Sequence, residues 1–364
     1  MAAAVRLEAA LEAEVAAWSL GGPPLDFDAW ALRIFRHQFE RNAPYRAFCI
    51  RRGITPDTVA RADDVPAVPA LAFRHAELTC DESIEAVFRT SGTTSDGAAR
   101  GRHPVPYLAL YRTAALATFA HFVLPDAARL EAVLLVPSPA ERPDSSLARM
   151  CGWIADGSAS STLVAGAGGL DVEATLARLD EAERRGAALL LVGVTAAFTT
   201  LFDACRARGR TFRLGPGSRV VDTGGAKGMS RPLSRAGFLR AVWGFLGVAG
   251  YWCVNEYGMT ELCSQRYEGV LRDRFDGRSL EPRRLVGPPW LRTRVLDPET
   301  LAPVRAGERG VLCHHDLANA GSVAVVLTED VGRAVGDDGI EVLGRVAGAP
   351  PRGCGLLLAD LVSA

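Results

Sequence analysis

The sequence predicts an α/β fold: layered parallel or mixed sheets with helices, followed by a small C-terminal β module. Three observations predict it. From Phe88 onward, short apolar runs that end in Gly or Pro alternate with helical patterns, the rhythm of βαβ units. The first 85 residues are patterned mainly as helix. After about Arg283 the texture changes to short strands separated by reversals.

Each element follows from local pattern. Leu7, Leu11, Val15 and Trp18 fall on one helical face, and Asp26–Phe39 repeats that spacing. Buried strands are expected in "EAVLLVP" (Glu131–Pro137), "ALLLVG" (Ala188–Gly193) and "RVVDTGG" (Arg219–Gly225). Beyond Arg283, Asp-Pro and Ala-Gly-Glu mark reversals, and the Asp-Asp-Gly of "VGDDGIEV" reads as a hairpin turn. The expected divisions are a helical region 1–85, an α/β core 86–283, and a β-rich closing part 284–364 that ends in a cysteine loop.

Bulk properties exclude several classes. With 41 basic against 42 acidic residues the net charge is −1, which gives no footprint for nucleic acid or an anionic membrane. "MAAAVRLEAALEAEVAAW" carries glutamates where a signal peptide needs an apolar core, and reads as an amphipathic helix. No apolar run approaches the length of a membrane span. The eight cysteines are scattered and never pair as CxxC, as expected of reduced thiols in a cytoplasmic protein.

Four polar clusters sit at the edges of predicted strands, where ligands of open α/β sheets gather. "TSGTTSDGAARGRH" (Thr90–His103) supplies hydroxyls and a glycine that lets backbone N–H groups approach an anion. "DTGGAKG" (Asp222–Gly228) leaves a strand, and its glycines allow a flat ring to lie on the backbone. "NEYGMTE" (Asn255–Glu261) joins an aromatic ring, a hydroxyl and a carboxylate suited to Mg²⁺. "LTEDVGR" (Leu327–Arg333) offers Asp330 as an acceptor for ribose hydroxyls. Each alone reads more readily as a plain turn or a solvated cap; their order is the specific signal.

That order, TSGTT, GG, YGMTE, TED, resembles the adenylate-forming superfamily of acyl- and aryl-CoA ligases, luciferases and nonribosomal adenylation domains. The short length, "VVDTGGAKG" and the closing run "TEDVGR…GD…EVLGR…RGCGL" are most similar to LuxE-type acyl-protein synthetases, over roughly residues 85–356. The resemblance implies ATP-dependent activation of a carboxylic (fatty or aryl) acid to an acyl-adenylate, then transfer to a thiol. It assigns Thr90, Ser91, Gly92, Thr93 and Thr94 to the phosphate loop, and Gly224, Gly225 and Ala226 to the adenine-side turn. It sets Tyr257 on adenine beside Gly258, Thr260 on phosphate, Glu261 on Mg²⁺, Asp330 on ribose, and Arg345 just after it.

Two departures stand out. The family loop continues TGxPKG, but here Ser95 replaces the glycine and no lysine follows, so the positive charge falls to Arg100 or Arg102. Only 34 residues follow Asp330, too few for the mobile C-terminal lid with its catalytic lysine. Adenylation is then expected to be slower, or completed by a partner.

Cys354, in "PPRGCGLLLADL", is the acyl acceptor that the resemblance implies, serving a partner acyl reductase; Arg352 beside it favours the thiolate. The plain reading is an incidental cysteine. Coenzyme A or a carrier-protein thiol is the alternative acceptor, and a non-catalytic nucleotide-binding scaffold is the alternative of another class. Phe198 is either an acyl-pocket or a core residue. Cys253, Cys263 and Cys151 are expected in packing. His103 is either a ligand-holding or a structural histidine, and His314 and His315 point to opposite faces of a strand, which disfavours a shared metal.

Overall fold

The computed structural model describes residues 6–90, 100–224, 233–280, 282–346 and 352–362. The chain forms two compact units: one of residues 1–118, 259–265 and 286–364, the other of residues 119–258 and 266–285. This cuts the chain differently from the expected divisions at 85 and 283.

In the first unit, the N-terminal helices and the C-terminal strands share one core. Helices Leu7–Ser19, Phe27–Arg41 and Ala43–Arg51 are each amphipathic or short, and need an apolar partner. The partner is an antiparallel sheet of Leu291–Leu296, Gly310–Asp316, Val325–Val335 and Gly339–Arg345. Phe35, Tyr45, Phe48 and Phe73 pack with Val325, Val326, Leu327, Leu357 and Leu361. Val68–Pro69 adds a short parallel pairing to Val326–Leu327. The N-terminal helices and the closing strands therefore lie in one compact unit.

Buried amides fix the helices to this sheet. Asp26 caps the second helix by accepting from the Ala29 N–H (3.1 Å), and Asn42 caps the third by accepting from Tyr45 (3.2 Å). Gln38 donates to the carbonyls of Asn319 and Ala320 and accepts from the Ala324 N–H, while Asn42 donates to the Ser322 carbonyl. The connection at 317–324 is thereby held by the second helix, with its polar backbone satisfied.

The second unit is the expected βαβ core. Strands Ser160–Leu163, Glu131–Leu135, Leu189–Val194, Arg219–Thr223 and Cys253–Tyr257 are parallel in that spatial order. Arg266–Glu268 adds an antiparallel edge beside Cys253–Tyr257. Helix Thr195–Ala207 packs on helix Arg235–Leu246 through Phe198, Phe202 and Phe238. Phe198 is fully buried in that ring cluster, so its surface is spent on the core rather than on an acyl pocket.

One further expectation changes. Cys354 was expected in a loop, but its backbone lies in the first turn of helix Arg352–Val362, whose Leu357 and Leu361 are buried in the core and draw the segment into helical register. Among the described residues no helix is long and apolar enough to cross a membrane.

Candidate active site

In the first unit, the strands on either side of the expected phosphate loop are paired. Strands Ala86–Arg89 and Arg102–Val105 pair antiparallel. Ser91, Gly92, Thr93 and Thr94 lie outside the described residues, but the base of the loop is clear. The Thr90 N–H donates to the Gly101 carbonyl (3.0 Å), and the Gly101 N–H donates to Thr90 Oγ1 (3.0 Å). A Cβ on residue 101 would stand 2.9 Å from Thr90 Cγ2, so only glycine closes this clasp without displacement. Arg100 turns its guanidinium back on the hairpin, donating to the carbonyls of Thr90 (2.6 Å) and Arg89 (3.1 Å). That geometry commits Arg100 to the loop base, while Arg102 is exposed on the strand.

The segment carrying Thr260 and Glu261 is held by residues far away in sequence. Buried His103 contacts the Thr260 carbonyl with Nδ1 (2.6 Å) and Asn319 Oδ1 with Nε2 (2.8 Å). Asn319 donates its amide to the carbonyls of Glu261 (2.9 Å) and Val323 (2.7 Å). Two acceptors facing one ring call for two N–H groups, whereas burial pushes His103 down to about 4. The neutral ring has one N–H, so it serves one of the two acceptors at a time. Asp316 completes the hold by accepting from the Cys263 N–H (2.8 Å) and Ser264 Oγ (2.6 Å). His103 is thus a clamp on the backbone and not an anion ligand.

Glu261 itself is buried, and burial raises its carboxyl to about 7, with Arg345 and Arg74 pulling it down and Asp330 pushing it up. Asp330 and Arg345 are cross-strand partners, and Arg345 Nε donates to Asp330 Oδ1 (2.8 Å). Thr328, two residues earlier, accepts from the Asp330 N–H and donates to the Leu312 carbonyl, which fixes the backbone within strand Val325–Val335. Three positions spread from 261 to 345 therefore share one electrostatic neighbourhood. A buried hard carboxylate fits a dication whose other ligands come from phosphates and water.

In the second unit the motifs sit at the carboxyl ends of parallel strands, as in other open α/β sheets. Gly224 leaves its strand with φ +81°, a conformation that favours glycine. Thr195 Oγ1, at the end of the neighbouring strand, is 3.0 Å from the Gly224 carbonyl and 3.2 Å from that of Thr223. Gly225 and Ala226 lie outside the described residues. Tyr257 closes the next strand and is partly exposed, and Gly258 follows it in the open.

A buried charge cluster lies beneath these ends. Arg235 donates to Asp222 (2.6 Å) and grips both oxygens of Glu268; Arg283 does the same to Glu268 (2.9 and 2.6 Å) and also reaches the Cys253 carbonyl. Asn255 donates to the Asp222 carboxylate (3.0 Å) and carbonyl (3.0 Å). Burial raises Asp222, which holds a single guanidinium. It would raise Glu268 too, but two guanidiniums bring that carboxyl below its ordinary value.

Glu256 was overlooked in the sequence, although it stands inside the motif. It is buried, accepts from the Thr223 hydroxyl, and is raised to about 7 by burial. An unfolded glutamate titrates near ~4.3. The folded value is the higher one, so this group's stabilisation is complete below about pH 4 and is lost as pH rises through 7. Glu256→Gln should therefore gain stability over the parent on going from pH 5 to pH 8.5, by on the order of 3 kcal/mol. Denaturant titrations at the two pH values measure it; a constant difference would contradict a buried neutral acid.

The two histidines of the pair have separate contacts. His314 Nδ1 bonds Thr293 Oγ1 (2.7 Å), while His315 packs edge-on to Phe27. No group of three potential ligands among the described His, Cys, Asp and Glu residues could hold a metal ion. Cys151, Cys253 and Cys263 are buried, their thiols pushed up by burial, as packing residues are.

The fold gives the class. The second unit's parallel sheet, with glycine and tyrosine motifs at the carboxyl ends of its strands, has the fold of adenylate-forming ligases. A crystal structure of an open form of 2-hydroxyisobutyryl-CoA ligase shares the fold, with TM-score 0.62 and 16% identity, over 88% of this chain and 74% of that one. The chain belongs to the LuxE family of acyl-protein synthetases, whose model matches residues 7–363, and is a ligase. It is 23% identical to a long-chain-fatty-acid–luciferin-component ligase of Vibrio harveyi, over 91% of this chain and 86% of that protein. Its likeness to the ligase of the same name from Aliivibrio fischeri is 22%, over 90% and 86%.

Proposed function

We propose that the chain uses ATP to activate a carboxylic acid, of the long-chain fatty class for which its two relatives are named, and loads the acyl group onto Cys354. A carboxylate oxygen of the acid attacks the α-phosphorus of ATP, the bond to pyrophosphate breaks, and an acyl-adenylate remains. The Cys354 thiolate then attacks the acyl carbon, the bond to AMP breaks, and AMP leaves with that electron pair. The thioester is handed to a partner acyl reductase.

The observation that carries this reading is that Glu261, Asp330 and Arg345 share one neighbourhood. In it Asp330 accepts from the ribose hydroxyls, and Arg345 holds Asp330 in the orientation to do so. Tyr257 and Gly224 are assigned to adenine, and Thr260 to phosphate. Ser91, Gly92, Thr93 and Thr94 are assigned to the phosphates, beyond the Thr90–Gly101 pair. Glu261 would hold Mg²⁺, which when bound neutralises charge on the phosphates. Cys354 sits in the first turn of its helix, where the positive end of the helix dipole favours a thiolate.

The test is acid-dependent ATP–pyrophosphate exchange across a series of fatty and aryl acids, followed by acylation with labelled acid. Exchange is expected with long-chain acids, together with a hydroxylamine-labile label on the protein. In Cys354→Ser, exchange should persist while the thioester falls at least about a hundred-fold. A thioester that survives in Cys354→Ser refutes self-acylation at that residue. Label released onto coenzyme A or a carrier protein instead assigns a soluble acceptor, and absence of exchange with every acid refutes adenylation.

A further inference from the structure

We propose that Gln38 and Asn319 act together as positioning residues, carrying the hold of the N-terminal helices onto the backbone of Thr260 and Glu261. The inference rests on the reading of Glu261 as the carboxylate that serves Mg²⁺, and names what sets that residue in place. The first observation lies in helix Phe27–Arg41. Phe27, Trp30, Ala31, Ile34 and Phe35 form its buried stripe, and the same spacing brings Gln38 onto it, fully buried. A polar side chain there costs free energy unless it is hydrogen-bonded. Gln38 donates to the carbonyls of Asn319 (3.1 Å) and Ala320 (3.1 Å), and its oxygen accepts from the Ala324 N–H (3.2 Å).

Asn319 is where that hold turns toward the site. It ends a 3₁₀ turn, Leu317–Asn319, whose start is capped by Asp316, which accepts from the Ala318 N–H (3.0 Å). Gln38 grips the Asn319 carbonyl, while the buried Asn319 side chain donates to the carbonyls of Glu261 (2.9 Å) and Val323 (2.7 Å). With both amide protons committed, its orientation is fixed, and its Oδ1 meets His103 Nε2 (2.8 Å). From the other end of the same turn, Asp316 accepts from the Cys263 N–H (2.8 Å). One turn therefore brackets the backbone from Glu261 to Cys263, and Gln38 holds that turn. The far end of the connection has separate ties: Asn42 donates to the Ser322 carbonyl (3.1 Å), and Ser322 Oγ to that of Leu78 (2.6 Å). Loss of the Gln38 amide thus leaves the connection attached but frees the end that bears Asn319. A displacement of roughly 1 Å at a reacting centre costs about a hundred-fold in rate.

The test compares the parent with Gln38→Met, Asn319→Ala and the double variant. Ser322→Ala serves as control, because it cuts a tie of the same connection without touching Asn319. One readout is amide hydrogen–deuterium exchange at Leu262 and Cys263, whose N–H groups donate to the Met259 carbonyl and to Asp316. The other is kcat for acid-dependent ATP–pyrophosphate exchange. In each single variant the two amides should exchange about ten-fold faster relative to those of strand Leu291–Leu296. The kcat should fall about ten- to a hundred-fold, with KM for ATP changed by less than about threefold. The double variant should match Asn319→Ala, since the two residues act in series, and Ser322→Ala should keep the parental kcat. Losses that multiply in the double variant overturn the proposal, as does a loss in Ser322→Ala equal to that in Gln38→Met. Unchanged amide rates, or kcat within about threefold of the parent in both single variants, also overturn it. Gln38→Glu, of nearly the same shape, takes the place of Gln38→Met if the methionine variant does not fold. A parent that activates no acid refutes adenylation, and the amide rates then decide alone whether Gln38 and Asn319 hold the segment.

Discussion

Glu261→Gln is expected to lower acid-dependent ATP–pyrophosphate exchange by about a hundred- to a thousand-fold, the scale of losing one preorganised charge contact at a reacting centre. The exchange preserves shape and removes only the charge. Stability should not fall: the folded carboxyl titrates near 7 because it is buried, so above that pH the parent carries a buried anion that the variant lacks. The same value predicts that parental activity declines as pH falls below about 7, where the carboxyl holds its proton, unless bound cation keeps it ionised. Exchange rate against pH and Mg²⁺ concentration measures all three. Exchange within ten-fold of the parent at saturating Mg²⁺ would remove Glu261 from the reaction.

The second large effect is on stability. Arg235→Met leaves Asp222 buried with only amide and hydroxyl donors, whereas Glu268 keeps Arg283. Removing one partner of a buried ion pair costs about 3–5 kcal/mol, roughly 10 °C in melting temperature for a unit of this size. Because the penalty is the orphaned charge rather than the lost attraction, Asp222→Leu in the same chain should recover much of it. Thermal melts of the single and double variants decide the matter. A shift under 2 °C, or a double variant no better than the single, would show that Asp222 does not depend on Arg235. The cluster sits directly beneath Gly224 and Tyr257, so milder substitutions there should loosen the adenine-side turn before they unfold the protein.

Much of the fold was legible in one dimension. The runs at Glu131, Ala188 and Arg219 are apolar on both faces and end in Gly or Pro, and each is a central parallel strand. The hairpin turn at Asp337–Gly339 is where composition put it, between strands ending at Val335 and beginning at Gly339. Pattern failed where a residue serves something distant. Cys354 is flanked by glycines and reads as a loop, yet Leu357 and Leu361 anchor its segment as a helix. Phe198 follows a strand as a pocket residue would, but the helix it begins turns it toward Phe202 and Phe238.

The sequence by itself determined the strands of the parallel core, the order of the polar motifs and, through that order, the family. Local burial has a period that the chain spells out, and short motifs carry their own backbone geometry. Only the tertiary structure decided that the first helices and last strands are one unit, and that Asp330 faces Arg345 across a ladder. It also decided that His103 and Asn319 hold the carbonyls of Thr260 and Glu261. Those facts depend on sheet register and on which apolar faces find each other. Neither is written in the neighbours of any one residue.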